Sequence, residues 1–217
     1  MKNKTSYAVL GLGRYGMAVA EELANSGVEV LAVDIDEERV NEASDKIPVC
    51  KCADATDAVV LEKLDISDFD VVVVAMADSL EASVMAITLC KEAGVKKIVA
   101  KCADEMHERI FSRVGADKVV LPEKESGVRL AKNLLSAGLI DIIDISDDIS
   151  VVETDVKNEW VGKSLSEINI RKKYGLNVIA VKNNDKVVID IDPLVPLKQG
   201  EKLVVIASND KLKKVIQ

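Results

Sequence analysis

Six short apolar runs alternate with helix-patterned segments over the first 121 residues, and this constrains the fold more than any other feature of the chain. The runs are Tyr7–Leu10, Val28–Asp34, Ile47–Cys52, Val71–Met76, Ile98–Lys101 and Lys118–Leu121. Between them lie helical patterns at Tyr15–Ser26, Glu37–Ser44, Ala58–Leu64 and Asp104–Val114, and one opened by a capping box at Asp78-Ser-Leu-Glu81 and ended by Gly94. Such alternation predicts an α/β domain with a doubly wound parallel sheet. Aromatic residues make up only 3% of the sequence while hydrophobic residues reach 48%. The cores are therefore aliphatic, as parallel strands buried on both faces require.

The first strand runs into Gly11-Leu-Gly13-Arg14-Tyr15-Gly16, a G-x-G-x-x-G turn that opens the first helix, and Asp34 ends the next run. That order makes the domain Rossmann-like and predicts a nucleotide site. Gly11 permits the tight turn, Gly13 lets backbone approach a pyrophosphate, and Gly16 lets helix pack closely on strand. The helix N-terminus offers free N–H groups and partial positive charge. Asp34 accepts hydrogen bonds from ribose hydroxyls and repels a 2′-phosphate, which favours adenosine nucleotides or NAD over NADP. Asp36 reads as the cap of the following helix, as Asp57 does of its own. Arg14 grips a terminal phosphate in bidentate fashion or is a solvated side chain, with Tyr15 beside it. Asp54-Ala55-Thr56 follow the third strand, where strand ends line the ligand crevice, so Asp54 or Thr56 contacts base or ribose, or the three form a simple turn. Ala75-Met-Ala-Asp78 supplies small residues beside the same crevice.

The formal charge of -8 and pI of about 4.9 argue against nucleic acid or an anionic membrane surface as partner. No apolar run approaches the ~20 residues of a membrane-spanning helix, and the N-terminus lacks the apolar core of a signal peptide. A cytoplasmic protein is expected. Cys50 and Cys52 share a face of one strand, but no second pair has ligand spacing, so the four cysteines, with Cys90 and Cys102, read as small buried hydrophobes. The single histidine, His107, belongs to a helix far from the end of the first strand. An oxidoreductase needs a proton-transferring group beside its hydride acceptor. None is clustered here, and nucleotide binding without catalysis fits the sequence better. An NAD-dependent oxidoreductase subunit and a free-standing nucleotide or second-messenger sensor remain the alternatives.

The rhythm changes after a helical stretch from Ser126 to about Ala137 that Gly138 stops. Val151–Val156 alternates, Ser164-Leu-Ser-Glu167 is a capping box, Asn177–Val181 and Val187–Ile191 flank a hairpin turn at Asn183-Asn-Asp-Lys186, and Leu203–Ala207 precedes a terminal helix at Asp210–Ile216. The expected division is 1–138, a nucleotide-binding domain with its connecting helix, and 139–217, a small α+β domain.

Several quoted stretches carry a resemblance. GLGRYG, the Asp34 strand end, CADATD (Cys52–Asp57), AKCADE (Ala100–Glu105) and GADKVVLPE (Gly115–Glu123) resemble the N-terminal RCK domain of TrkA/KtrA regulatory subunits of potassium channels and transporters. VGKSLSEINIRKKYGLNVIAVKNND and PLKQGEKLVVIAS resemble the RCK C-terminal domain. The resemblance implies homodimers, joined through the helix after the sixth strand, that assemble into a cytoplasmic ring, usually octameric. The ring is implied to dock on a membrane-embedded K+-translocating subunit, with ATP, ADP or NAD(H) changing its shape. By position it assigns nucleotide contacts to Gly11, Gly13, Arg14, Asp34, Asp54 and Lys101. It assigns a divalent or monovalent cation at the dimer interface to Glu123, and cyclic di-AMP to Arg171 and Asn177.

Overall fold

The computed structural model describes residues 5–76, 79–135, 139–146, 148–183 and 186–216. The chain divides into two compact units, Met1–Lys124 and Glu125–Gln217. The first contains β1 (Ser6–Leu10), α1 (Arg14–Asn25), β2 (Glu29–Asp34), α2 (Glu37–Ser44), β3 (Val49–Cys52), α3 (Ala58–Lys63), β4 (Val71–Val74), α4 (Leu80–Glu92), β5 (Ile98–Lys101), α5 (Glu105–Val114) and β6 (Lys118–Val120). Its six strands pair in parallel in the order β3-β2-β1-β4-β5-β6. The chain winds outward one way from β1 and the other way from β4. The two connections therefore part, and a crevice opens at the carboxyl ends of these central strands.

Alternate residues of the central strands feed two cores. Leu10, Val33, Val72 and Val74 join Ile87, Cys90 and Phe111 on one face, while Val9, Ala32 and Val73 join Leu12, Ala20 and Val40 on the other. Each fully buried Val or Leu contributes about 1.5–3 kcal/mol. Asp36 and Asp57 cap α2 and α3 as expected, accepting from Glu38 and Val59 N–H groups. The cap of α4 is Ser79, whose hydroxyl accepts from Ala82 N–H, rather than Asp78, which lies outside the described residues. The fourth strand stops at Val74, two residues short of the expected end, and Ala75 still donates its N–H to Leu10 O of the neighbouring strand.

The cysteine expectation holds for Cys90 and Cys102, which are buried, and fails for Cys52, which is exposed, and Cys50, which is half-buried. Both sit on β3, an edge strand of the sheet, where the outer neighbour is solvent.

Helix α6 (Pro122–Leu135) starts four residues before the expected Ser126, because a proline in the first helical position is pre-organised for the turn. Gly138, its expected stop, lies outside the described residues. The second unit continues with β7 (Leu139–Ser146), β8 (Ile149–Asp155), α7 (Leu165–Ile168), α8 (Ile170–Tyr174), β9 (Asn177–Asn183), β10 (Lys186–Val188), β11 (Lys202–Ser208) and α9 (Asn209–Ile216). Its sheet is antiparallel, in the order β10-β9-β11-β8-β7. Strand β7 was not foreseen: Leu-Ile-Asp-Ile-Ile-Asp-Ile-Ser follows neither a period of two nor one of 3.6, and its Ile143 and Ile145 are exposed. The hairpin pairs Asn183 with Lys186, and the two residues between them lie outside the description. β10 is shorter than the expected Val187–Ile191. Ser164 and Glu167 form the capping box in full, each side chain bonded to the other's backbone N–H.

The core of this unit gathers Trp160, Leu176, Leu203 and Val205. Glu153 on β8 lies 3.0 Å from Lys182 on β9 and 3.1 Å from Lys202 on β11, an ionic clasp across three neighbouring strands.

Candidate functional site

The glycine turn is fixed by contacts too close for side chains. Gly11 has φ +97° and donates its N–H to Val33 O at 2.8 Å, tying the turn to β2. A Cβ on Gly16 would lie 1.9 Å from Gly11 O, so α1 leaves the turn only because residue 16 lacks one. Gly13 is different. It has ordinary φ (-63°), and a Cβ there would meet nothing within 4 Å. The protein's own packing does not demand a glycine at 13, and the bare backbone borders open space. α1 starts just after it with no capping side chain and no acidic residue in its first turn, which leaves positive partial charge at that end.

Beside the turn lies a cavity of about 370 Å³ at the carboxyl ends of β1, β2, β3 and β4. Gly11 and Gly13 form one side, Asp34, Ile35 and Arg39 another, and Ala53 to Thr56 with Ala75 and Met76 close the rest. Asp34 is almost fully buried. Its Oδ2 accepts Leu12 N–H at 2.5 Å and its Oδ1 accepts Asp36 N–H at 2.9 Å. The carboxylate therefore holds the glycine turn and the start of the β2–α2 connection together, yet each oxygen keeps a lone pair for a ribose hydroxyl. Asp54 Oδ1 accepts from Thr56 Oγ1 at 2.7 Å and Thr56 N–H at 2.8 Å. These bonds, the hydroxyl's foremost, hold its carboxyl below the usual range.

Of the residues expected at the site, the cavity brings together Gly11, Gly13, Asp34, Asp54, Ala55 and Thr56. Gly16 stands behind the turn. Arg14, Tyr15 and Lys101 are not among the lining residues. They form a second cluster: Lys101 Nζ lies 5.9 Å from the Tyr15 ring centroid and 2.8 Å from Glu123 Oε1. The bond from Lys101, the N-terminal backbone of α6 and the charge of Arg14 together depress the Glu123 carboxyl. Glu123 thus has an ammonium where a cation was expected. Among the described residues no group of three His, Cys, Asp or Glu side chains is arranged to hold a metal ion.

Arg39 is the charged lining residue that sequence reasoning missed. Its signal was present: it lies three residues after the Asp36 cap, on the first turn of the helix that follows Asp34. In the second unit, Arg171 and Asn177 do come together, in a shallow concavity of about 300 Å³ that also includes Ile170 and Leu176. The described lining residues of the larger cavity include no His, Cys, Lys or Tyr. His107 instead stacks on Phe111 at 6.0 Å, with Nε2 3.8 Å from Asp104.

A domain model described as TrkA-N matches residues 7–122, and one described as TrkA-C matches residues 150–217. The chain belongs to the TrkA family. Ktr system potassium uptake protein C of Bacillus subtilis is 36% identical over 205 residues, covering 94% of this chain and 93% of the relative. Ktr system potassium uptake protein A of Vibrio alginolyticus is 34% identical over 206 residues, covering 95% of this chain and 94% of the relative. Among solved structures, the GsuK channel bound to NAD superposes with a TM-score of 0.66 at 17% identity, over 100% of this chain and 40% of that one. This likeness carries the fold, both units included. Both of these relatives are potassium uptake proteins, which accords with a non-enzymatic role.

Proposed function

We propose that this chain is a nucleotide-sensing regulatory subunit of a potassium uptake system. Two observations meet in this reading: relatives matched over nearly the whole chain are Ktr potassium uptake proteins, and the cavity at the glycine turn has the parts for an adenosine nucleotide. The open space beside Gly13 supports the fit, since a pyrophosphate approaches bare backbone there and meets the N-terminus of α1. Asp34 orients the ribose, and the alanines of the strand ends leave width for the base. Nucleotide supplies binding free energy, and this chain supplies the differential contacts that turn it into a change of shape. The carboxylates of Asp34 and Asp54 are the acid–base groups among the described lining residues, and both already accept hydrogen bonds from the protein, which favours binding without turnover.

In this reading 1–138 acts as the sensing domain with its connecting helix, and 139–217 as the second RCK domain. No helix among the described residues is long and apolar enough to cross a membrane. The subunit works at the cytoplasmic face, as homodimers assembled into an octameric ring on a membrane-embedded K+ transporter or channel subunit. ATP, ADP and NAD(H) are the ligand classes for the first domain. Cyclic di-AMP is the candidate for Arg171 and Asn177.

The test is a titration of the full chain with ATP, ADP, NADH and NADPH by calorimetry, with assembly size followed by light scattering. Binding of adenosine nucleotides by an oligomer, without turnover, supports the reading. Nicotinamide cofactors binding alone, to a monomer, would sink it and revive the oxidoreductase alternative.

A further inference from the structure

The cavity contains one charged side chain that the nucleotide reading leaves without a task. Arg39 projects from the first turn of α2, with Nη1 3.6 Å from Asp34 Oδ2 and Nε 3.5 Å from Asp36 Oδ2. Its side chain is 49% exposed, that of Asp36 43%, and that of Asp34 only 5%. A solvent-facing cation therefore bridges one buried and one open carboxylate at the rim of the cavity.

The electrostatics of this triad are unequal. Two carboxylates and one guanidinium leave a net negative charge where the 2′-position of a ribose held by Asp34 would lie. A 2′-phosphate brought there meets repulsion at short range in a partly desolvated site, where charge interactions are stronger than in water. Yet an arginine close to the ribose-binding carboxylate is also the group that receives a 2′-phosphate in sites that accept one. Its planar fork matches phosphate oxygens in bidentate fashion. Here two nitrogens of that fork face Asp34 and Asp36 at ion-pair distance.

We propose that Arg39 is a specificity-determining residue of the nucleotide site, a 2′-phosphate receptor masked by its ion pairs with Asp34 and Asp36. While masked, it helps hold the two carboxylates that exclude 2′-phosphorylated nucleotides. Neutralising Asp34 frees it to bind them. The inference rests on the nucleotide reading above, and its test is chosen to fail separately.

The probes are adenosine 5′-monophosphate and adenosine 2′,5′-bisphosphate, which differ only in the 2′-phosphate. Each competes with a fluorescent ADP analogue for the full-length chain. The wild type should prefer the monophosphate by at least about tenfold. Asp34→Asn keeps the size and one acceptor oxygen, enough for Leu12 N–H but not for Asp36 N–H as well, and should reverse the preference. Adding Arg39→Met should abolish the gain, while Arg39→Lys, which keeps the charge without the fork, should retain part of it. Asp36→Asn preserves the cap of α2 and relieves one of the two pairs, so it should improve bisphosphate binding several-fold with the monophosphate unchanged. This second route decides the matter if the Asp34 change loosens the turn and weakens both probes together.

The inference is overturned if neither Asp34→Asn nor Asp36→Asn improves bisphosphate binding. It is equally overturned if Arg39→Met leaves any such gain within twofold. If the wild type binds no adenosine nucleotide, the nucleotide reading falls and takes this one with it. If the monophosphate binds normally and the ratio ignores residue 39, this inference alone fails.

Discussion

The two ends of the first-unit cavity are built on opposite plans. At the ribose end, Asp34 is buried, and both its oxygens already hold backbone N–H groups before any ligand arrives. At the phosphate end, Gly13 borders open space and Arg14 is exposed. One end is a fixed template; the other is a bare surface. The difference teaches where stability and recognition are coupled. Changes at the template should disturb folding and binding together, whereas changes at the bare end should alter binding while leaving the fold in place.

The turn behind both ends gives the largest expected effect. Gly16→Ala forces a Cβ to within 1.9 Å of Gly11 O, so it should cost more than about 3 kcal/mol, at the severe end of single substitutions. Thermal unfolding should show a large fall in Tm. Asp34→Ala comes next, because it strands the Leu12 N–H in a buried position. A loss of about 1–3 kcal/mol is expected, together with loss of nucleotide binding in the same titration. Stability unchanged in this variant would break the template idea.

Gly13→Ala should sharpen the contrast. With room for the methyl group and an ordinary φ, its stability should shift by less than about 1 kcal/mol, while nucleotide affinity falls. A matching fall in both would erase the distinction between the two ends. Arg14→Ala should leave the unfolding midpoint within the scatter of neutral surface changes and weaken ATP more than ADP; equal losses would remove phosphate counting from its role.

The smallest effect concerns pH. Because Asp54 has a depressed carboxyl pKa in the folded chain, its contribution is complete above the ordinary value of 3.8 and is lost as pH falls through the lower folded value. Thr56→Val removes the hydroxyl bond, so NMR titration of Asp54 should then show its midpoint moving upward.

Much of this was legible in the sequence, for identifiable reasons. The parallel sheet could be read because its strands are continuous apolar runs separated by capped helices, a pattern that local rules capture. Asp36, Asp57, Ser164 and Glu167 cap where short-range chemistry put them. Gly11, Gly13, Gly16 and Asp34 could be placed because the turn's demands are also local. What escaped depends on partners distant in sequence. Lys101 was expected at the nucleotide, but Glu123 lies close enough in space to hold its ammonium. Arg39 was overlooked because its meaning arises only once α2 folds back over Asp34. Strand β7 was lost because edge strands need not alternate, and the exposure of Cys52 follows from sheet order, which residue spacing does not encode.

One methyl group is enough to separate the presence of this protein from its response. In the proposed reading, a chain carrying alanine at 13 should accumulate in the cell, assemble and reach its partner, yet be deaf to the metabolic signal. In the same proposed reading, deletion of the gene removes scaffold and signal at once and cannot tell which of them a cell misses under potassium starvation. The empty space beside Gly13 offers geneticists an allele that can.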